Sequence, residues 1–355
     1  MPVVAIIGSG LIGRAWAQVF ARSDWTVRVW DPDDATRDGA AALISAGLHE
    51  LATHGLVADP GRAAARVVIA ETLEHAVEGS DFVQENGPEI LEVKRATFER
   101  LDASAPRTAV LASSTSAIVA SAFTEALAGR DRCLVGHPVN PPHLVPVVEV
   151  CGAPWTSAAA RLRAREVYAA VGQVPIDVRR EVDGFILNRL QGALLAEAFR
   201  LVGDGYCSPQ DLDRTLSEGL GRRWSFMGPF ATIELNAPGG IPDYCRRYTG
   251  FYRRLQADPA PETVWDEANW SRIVAEWAPP GGAGAGAGSS SRAGAGADAD
   301  ADADAGSGGG GGGGANANAG ATEPVAATIA AKTRWRDHRL AALAAHLASQ
   351  QGWEP

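Results

Sequence analysis

Three polar positions stand where apolar runs end, and their types suit the removal of a proton from an alcohol. Ser113-Ser114-Thr115-Ser116 follows the run Ala109 to Ala112, His137 closes Cys133 to Gly136, and Glu149 interrupts Val147-Val148-Val150. Histidine is the side chain whose basicity suits proton abstraction near neutral pH. A carboxylate among valines on a core strand costs heavily in desolvation unless it is paired. Glu149 on one imidazole nitrogen would meet that need, fix the tautomer of His137 and stabilise the imidazolium. Taken singly, each has a plainer use: His137 before Pro138 suits a loop, Glu149 a structural ion pair, Ser116 a helix cap.

A second group points to a dinucleotide. Gly8-Ser9-Gly10-Leu11-Ile12-Gly13 directly follows the apolar Val3 to Ile7 and opens a helical pattern running to Phe20. GxGxxG alone is a weak signal, but between a strand and a helix it reads as a phosphate-binding turn. Gly8 permits the tight turn, Gly10 lets a pyrophosphate approach the backbone, and Gly13 lets helix and strand pack closely. Leu11 and Ile12 belong to the same cofactor segment, where the helix start offers free N–H groups and a positive dipole. Asp31 ends the second apolar run, 18 residues after Gly13. A carboxylate there accepts from ribose hydroxyls and repels a 2′-phosphate, so NAD is expected over NADP. Asp31 also opens an Asp-Pro-Asp turn, and Arg28 and Arg37 nearby leave some NADP use open.

These residues need a doubly wound sheet to position them. Apolar runs at Val3 to Ile7, Thr26 to Trp30, Val67 to Ala70, Phe82 to Gln84, Ala109 to Ala112, Cys133 to Gly136, Val147 to Val150 and Val174 to Val178 read as strands. Helical patterns such as Ala35 to His54 and Glu92 to Ala103 separate them. Strands buried on both faces, alternating with helices, imply an α/β, mainly parallel sheet; the last strands, joined by shorter connections, can be antiparallel. Ligands then sit outside the carboxyl ends of the strands, where Ser116 and His137 fall. After residue 183 the pattern is helical only. Phe185 to Gly203 reads as one long helix, and Ser208-Pro209 as the capped start of the next.

The expected organisation is therefore a nucleotide-binding domain over 1–183 and an all-α domain over 184–278. Residues 279–321 hold Gly, Ala, Ser and Asp with no large apolar side chain. Such a tract buries nothing to offset its ordering entropy and reads as a disordered tether. Helical periodicity returns over 322–355, a segment expected to pack on the helical domain.

Composition narrows the partners. The 355 residues carry a net charge of -10, part of it from Asp298, Asp300, Asp302 and Asp304 in the tether, which argues against nucleic acid or an anionic membrane. Cys133, Cys151, Cys207 and Cys245 show no metal-ligand spacing, so reduced thiols and no metal are expected. No leader pattern and no spanning stretch are evident, so a cytoplasmic protein is expected.

Five segments carry a family resemblance: the glycine turn, Ser113 to Ser116, His137-Pro138-Val139-Asn140-Pro141, Val148-Glu149-Val150 and Gly184-Phe185-Ile186-Leu187-Asn188-Arg189-Leu190. In order and spacing they resemble the 3-hydroxyacyl-CoA dehydrogenases. The resemblance implies a Rossmann-like doubly wound N-terminal domain, an all-α C-terminal domain, NAD as cofactor and a homodimer. It makes His137 the base and Glu149 its partner, sets Ser116 and Asn188 on the reacting oxygen, Asn140 near the substrate, and Glu89 and Lys94 along the NAD site. Ser114 departs from the Ser-Asn-Thr-Ser of the acyl-CoA enzymes. Ser217 to Pro229, Leu235-Asn236-Ala237, Asp243-Tyr244-Cys245 and Trp335-Arg336-Asp337 are instead similar to the lambda-crystallin and L-gulonate 3-dehydrogenase branch. That branch implies a free hydroxy acid, held at its carboxylate by Arg222 or Arg223. The alternatives are a carnitine 3-dehydrogenase, with Trp224, Phe226 and Phe230 as cage residues, a short-chain hydroxyacyl-CoA enzyme, or a non-catalytic NAD-binding structural protein.

Overall fold

The computed structural model describes residues 1–277 and 322–350, so the expected tether lies outside the described residues. The first unit runs from Met1 to Asn188 and includes the closing helix. Its chain passes through β1 (Val3–Ile7), α1 (Leu11–Arg22), β2 (Thr26–Trp30), α2 (Asp34–Thr53), α3 (Pro60–Ala64) and β3 (Val67–Ile69). There follow α4 (Leu73–Val77), β4 (Phe82–Glu85), α5 (Leu91–Ser104), β5 (Val110–Ser113), α6 (Ala120–Thr124) and β6 (Cys133–Pro138). Then come β7 (Val147–Gly152), α7 (Ala158–Ala170), β8 (Val174–Val178) and the start of α8 (Leu187–Gly203).

The eight strands form one sheet in the order β3-β2-β1-β4-β5-β6-β7-β8. Neighbours are parallel except β6 and β7, whose Val139–Pro146 connection is too short for a parallel crossover. The period of two is visible in β1. Val4 and Ile6 join one buried cluster with Trp16, Phe20 and Phe82, while Ala5 and Ile7 join another with Phe98, Leu111 and Val135. A strand that feeds two cores must be apolar on both faces, which is why these strands read as unbroken runs.

The second unit begins at Arg189, within α8. It holds α9 (Pro209–Arg214), a π-helical turn (Thr215–Leu220), α10 (Gly221–Trp224), α11 (Pro229–Leu235), α12 (Gly240–Gln256) and α13 (Glu267–Trp277). Ser208 caps α9 by accepting from the Asp211 N–H, as its sequence suggests.

The closing helix, α14 (Thr322–Ala348), corrects one expectation. It belongs to the first unit rather than to the helical one. Ala341 is buried in the core shared with Trp16 and Phe20, Leu340 packs against it, and His338 Nδ1 lies 3.1 Å from Nε2 of His54, the C-cap of α2. Small side chains on this face let the helix approach closely, a feature that apolar periodicity does not assign to either partner. Among the described residues no helix is long and apolar enough to cross a membrane.

Candidate active site

Antiparallel pairing of β6 and β7 sets His137 directly opposite Glu149. Both side chains are buried, and His137 Nδ1 lies 2.8 Å from Glu149 Oε2. The other carboxylate oxygen accepts from the Ile186 N–H at 2.7 Å and the Leu187 N–H at 3.0 Å. Three donors thus satisfy a carboxylate that valines flank on the strand, the pairing its position demands. Gly184 and Phe185 reach that geometry through positive φ values of 73° and 47°. The left-handed region costs a bulky residue about 1–2 kcal/mol, and Phe185 repays it with a fully buried ring centred 5.4 Å from the imidazole.

Ser116 sits in the loop after β5, half-buried, and its carbonyl accepts from Asn188 Nδ2 at 3.1 Å. The loop after β5, the end of β6 and the start of α8 therefore gather Ser116, His137 and Asn188 in one unit. Asn140 is half-buried in the loop that leaves β6.

The glycine turn connects β1 to α1. Gly8 has a φ of 89°, and a Cβ there would lie 2.8 Å from the Asn86 carbonyl oxygen. A Cβ on Gly13 would lie 1.9 Å from the Gly8 carbonyl oxygen, so only glycine closes this packing. Gly10 instead faces open space, Leu11 beside it is exposed and Ile12 packs on the core. Gly10 caps α1 without a side-chain hydrogen bond, so the helix start has room and unfilled donors for an anion. Asp31 is buried, accepting from the Ser9 N–H at 2.6 Å, the Ser9 hydroxyl at 3.1 Å and the Asp33 N–H at 3.0 Å. It therefore braces the turn from the end of β2. Arg37 donates to the Asp31 carbonyl and to Asp34, and Arg28 to the carbonyls of His75 and Glu78.

Family models decide the relationship. The 3-hydroxyacyl-CoA dehydrogenase NAD binding domain matches residues 3–182, and the C-terminal domain of the same family matches residues 184–273. The chain belongs to the 3-hydroxyacyl-CoA dehydrogenase family. A lambda-crystallin homolog from Bos taurus is 42% identical over 264 residues, covering 73% of this chain and 82% of that protein. An L-carnitine dehydrogenase from Streptomyces coelicolor is 40% identical over 239 residues, covering 67% of this chain and 74% of that one. The structure of FHMPC 5-dehydrogenase, an NAD+ dependent dismutase, matches at a TM-score of 0.67 and 27% identity, covering 76% of this chain and 87% of that one. As a member of this family the chain is an NAD-dependent hydroxy acid dehydrogenase, and the glycine turn offers the room and donors that NAD requires.

Two further positions of this family member differ from a plain reading. Lys94 is buried, 3.1 Å from Glu85 Oε2 and 3.8 Å from Glu89 Oε2. Glu85 also accepts from the Gly87 N–H at 2.6 Å and the Ser113 hydroxyl at 2.6 Å, while Glu89 accepts from the Thr115 hydroxyl and the Ala117 N–H. Sequence reasoning missed Glu85, although a glutamate ending the apolar Phe82-Val83 strand sends the signal that singled out Glu149. It also passed over the work of Ser114. The Ser114 hydroxyl accepts from the Trp16 indole at 3.0 Å and the Gln84 amide at 2.8 Å and donates to Asn86 at 2.7 Å. Tyr168 extends this chain by donating to Gln84 Oε1 at 2.7 Å, and burial pushes its phenol up beyond the ordinary range.

Arg222 and Arg223 belong to the second unit, on α10. Arg222 is ion-paired with Glu218, and both arginines are exposed. Trp224, Phe226 and Phe230 are exposed in the same unit. Elsewhere in it, Asn236, Tyr244, Tyr248, Phe251 and Tyr252 line a cavity of about 560 Å³.

Proposed function

We propose that this enzyme oxidises the 3-hydroxyl of a small free hydroxy acid, L-gulonate or a close analogue, to the 3-keto acid. The observation that carries the reading is the buried His137–Glu149 pair at the carboxyl edge of the sheet, opposite in register and 2.8 Å apart. Glu149 occupies Nδ1, which leaves Nε2 to take the hydroxyl proton, and the anionic carboxylate stabilises the imidazolium that forms. Asn188 spends one amide hydrogen on the Ser116 carbonyl and carries a second, which with the Ser116 hydroxyl steadies the reacting oxygen. Asn140 contacts the substrate from the β6 loop.

NAD would supply the hydride acceptor for the carbinol carbon. Gly8, Gly10, Leu11, Ile12 and Gly13 would hold its pyrophosphate at the α1 start, Asp31 would take the adenosine ribose, and Glu89 and Lys94 would line the site beyond. A guanidinium fork of the kind Arg222 and Arg223 carry suits the role of binding a free carboxylate. For Arg222, that role includes exchanging Glu218 for the substrate.

The L-carnitine dehydrogenase relative supports a second reading, in which the substrate carries a quaternary ammonium. Exposed aromatic faces at Trp224, Phe226 and Phe230, or the tyrosine-lined cavity, are the chemistry such a cation uses. Initial rates of NADH formation with L-gulonate, L-carnitine and a 3-hydroxybutyryl thioester of CoA separate these readings. The highest kcat/KM is expected for L-gulonate. A clear preference for the thioester would overturn the free-acid reading, and one for L-carnitine would establish the second.

The enzyme works as a homodimer in the cytoplasm on this reading. The second unit leaves Leu190, Phe226, Phe230 and Leu235 each at least 65% exposed, a surface that a second copy would cover. All four cysteines are free thiols, the state a reducing compartment maintains.

A further inference from the structure

The turn before α8 holds the one aromatic residue with positive φ among the described residues. Strain of this kind persists only where the surroundings demand it, and here the two N–H groups that follow the turn both reach Glu149. Gly184 and Phe185 turn the chain with φ values of 73° and 47°, and the Phe185 N–H is tied back to the Val182 carbonyl at 3.1 Å. The next two N–H groups then meet Glu149 Oε1 at 2.7 and 3.0 Å. These are orphan donors at a helix start, and they bring the positive end of the helix dipole with them.

We infer that the left-handed Gly184–Phe185 turn is a positioning element for catalysis: it aims the first N–H groups of α8 at Glu149 and so limits how strongly that carboxylate backs His137. The inference rests on the proposed role of His137 as base. Each donor stabilises the carboxylate anion and makes it a weaker partner for the imidazolium. The Phe185 ring closes the pair from the side, 5.4 Å from the imidazole. Two other charges near Glu149 are engaged elsewhere. Register places apolar Ile176 of β8 beside it, and the next residue, Asp177, is paired with Arg165 at 2.7 Å. Glu181 acts on the neighbouring Cys151 and accepts from the Ser121 N–H at 2.7 Å.

The test compares acid limbs of the pH–rate profile for single-turnover NADH formation. Leu187→Pro removes one donor at the first helical position, where proline is tolerated. A stronger Glu149 then holds the imidazolium longer, and the limb moves to higher pH. Glu149→Gln moves it to lower pH. Phe185→Asn, which suits a left-handed φ, keeps both donors and leaves the limb in place while lowering the plateau. Phe185→Val, which does not suit it, shifts the limb in the direction of Leu187→Pro. If Glu149→Gln shifts the limb but neither Leu187→Pro nor Phe185→Val moves it upward, the positioning role is wrong. If Glu149→Gln leaves it unmoved, the reading of His137 as base fails first. Should Leu187→Pro not fold, the contrast between the two Phe185 variants decides alone.

Discussion

The two units bury their side chains very differently. In the first, Val4, Ile6, Trp16, Phe20, Phe82, Phe98 and Leu111 are wholly excluded from solvent, and two cores sandwich the sheet. In the second, Val202, Ala237 and Val264 reach burial among the described residues, while Phe226 and Phe230 stand 70% and 73% exposed. A sheet covered on both faces is complete within one chain, whereas helices with apolar faces turned outward offer a surface that a partner can cover. The contrast teaches where the tasks lie. On the proposed reading, proton transfer and cofactor binding belong to the self-sufficient unit, and the outward apolar faces of the other are where a second copy would associate.

The sharpest break in that division comes from the first unit. His137→Asn is expected to lower kcat by roughly 10²- to 10⁴-fold, the usual contribution of general acid–base catalysis. NADH affinity by fluorescence titration and the sedimentation coefficient should both stay at the wild-type values. Loss of cofactor affinity would show that the imidazole has a structural task.

Phe226→Glu combined with Phe230→Glu probes the second unit. If a second copy covers this surface, as proposed, charging it should weaken association by roughly 100-fold, because the new carboxylates are desolvated without partners. Sedimentation velocity across a concentration series reads this directly. Unchanged association would remove these helices from the interface.

A smaller effect is expected at Asp31→Ala. Loss of one charge-assisted hydrogen bond to the ribose should weaken NAD by roughly tenfold and narrow its preference over NADP. Part of that loss comes from the Ser9 clamp, since Asp31 accepts from both the N–H and the hydroxyl of Ser9. A preference ratio unchanged by the substitution would assign Asp31 to the turn alone. The smallest effect of all is expected when 279–321 are replaced by a short Gly/Ser linker, since the segment has no core-forming side chain. Turnover should be retained within error, and a large fall with the fold intact would reveal a role.

Much of the first unit was legible because its strands are buried on both faces and its special residues are expensive. Glu149 announces a partner by standing among valines, and Gly8 and Gly13 sit where a Cβ would strike backbone. Positive φ at Phe185 carries no such mark, since nothing in an aromatic side chain favours the left-handed region. Glu85 was legible in principle and went unread, because its partner Lys94 is local to α5 and not a strand neighbour. The docking of α14 depends on small residues such as Ala341, whose periodicity is compatible with either unit. Arg222 and Arg223 show the limit of reading sites by type, because an exposed guanidinium looks the same whether it meets Glu218 or a substrate.

The central claim is that the His137–Glu149 pair accepts the hydroxyl proton, and the pH dependence of hydride transfer tests it most directly. Neutral imidazole is the active form, so the single-turnover rate should rise with pH and level off once His137 is deprotonated. Glu149→Gln removes the anion that favours imidazolium, so its limb should lie at lower pH than wild type, with a reduced plateau. His137→Asn should abolish the limb. A His137→Asn enzyme that keeps the wild-type limb and plateau would contradict the account.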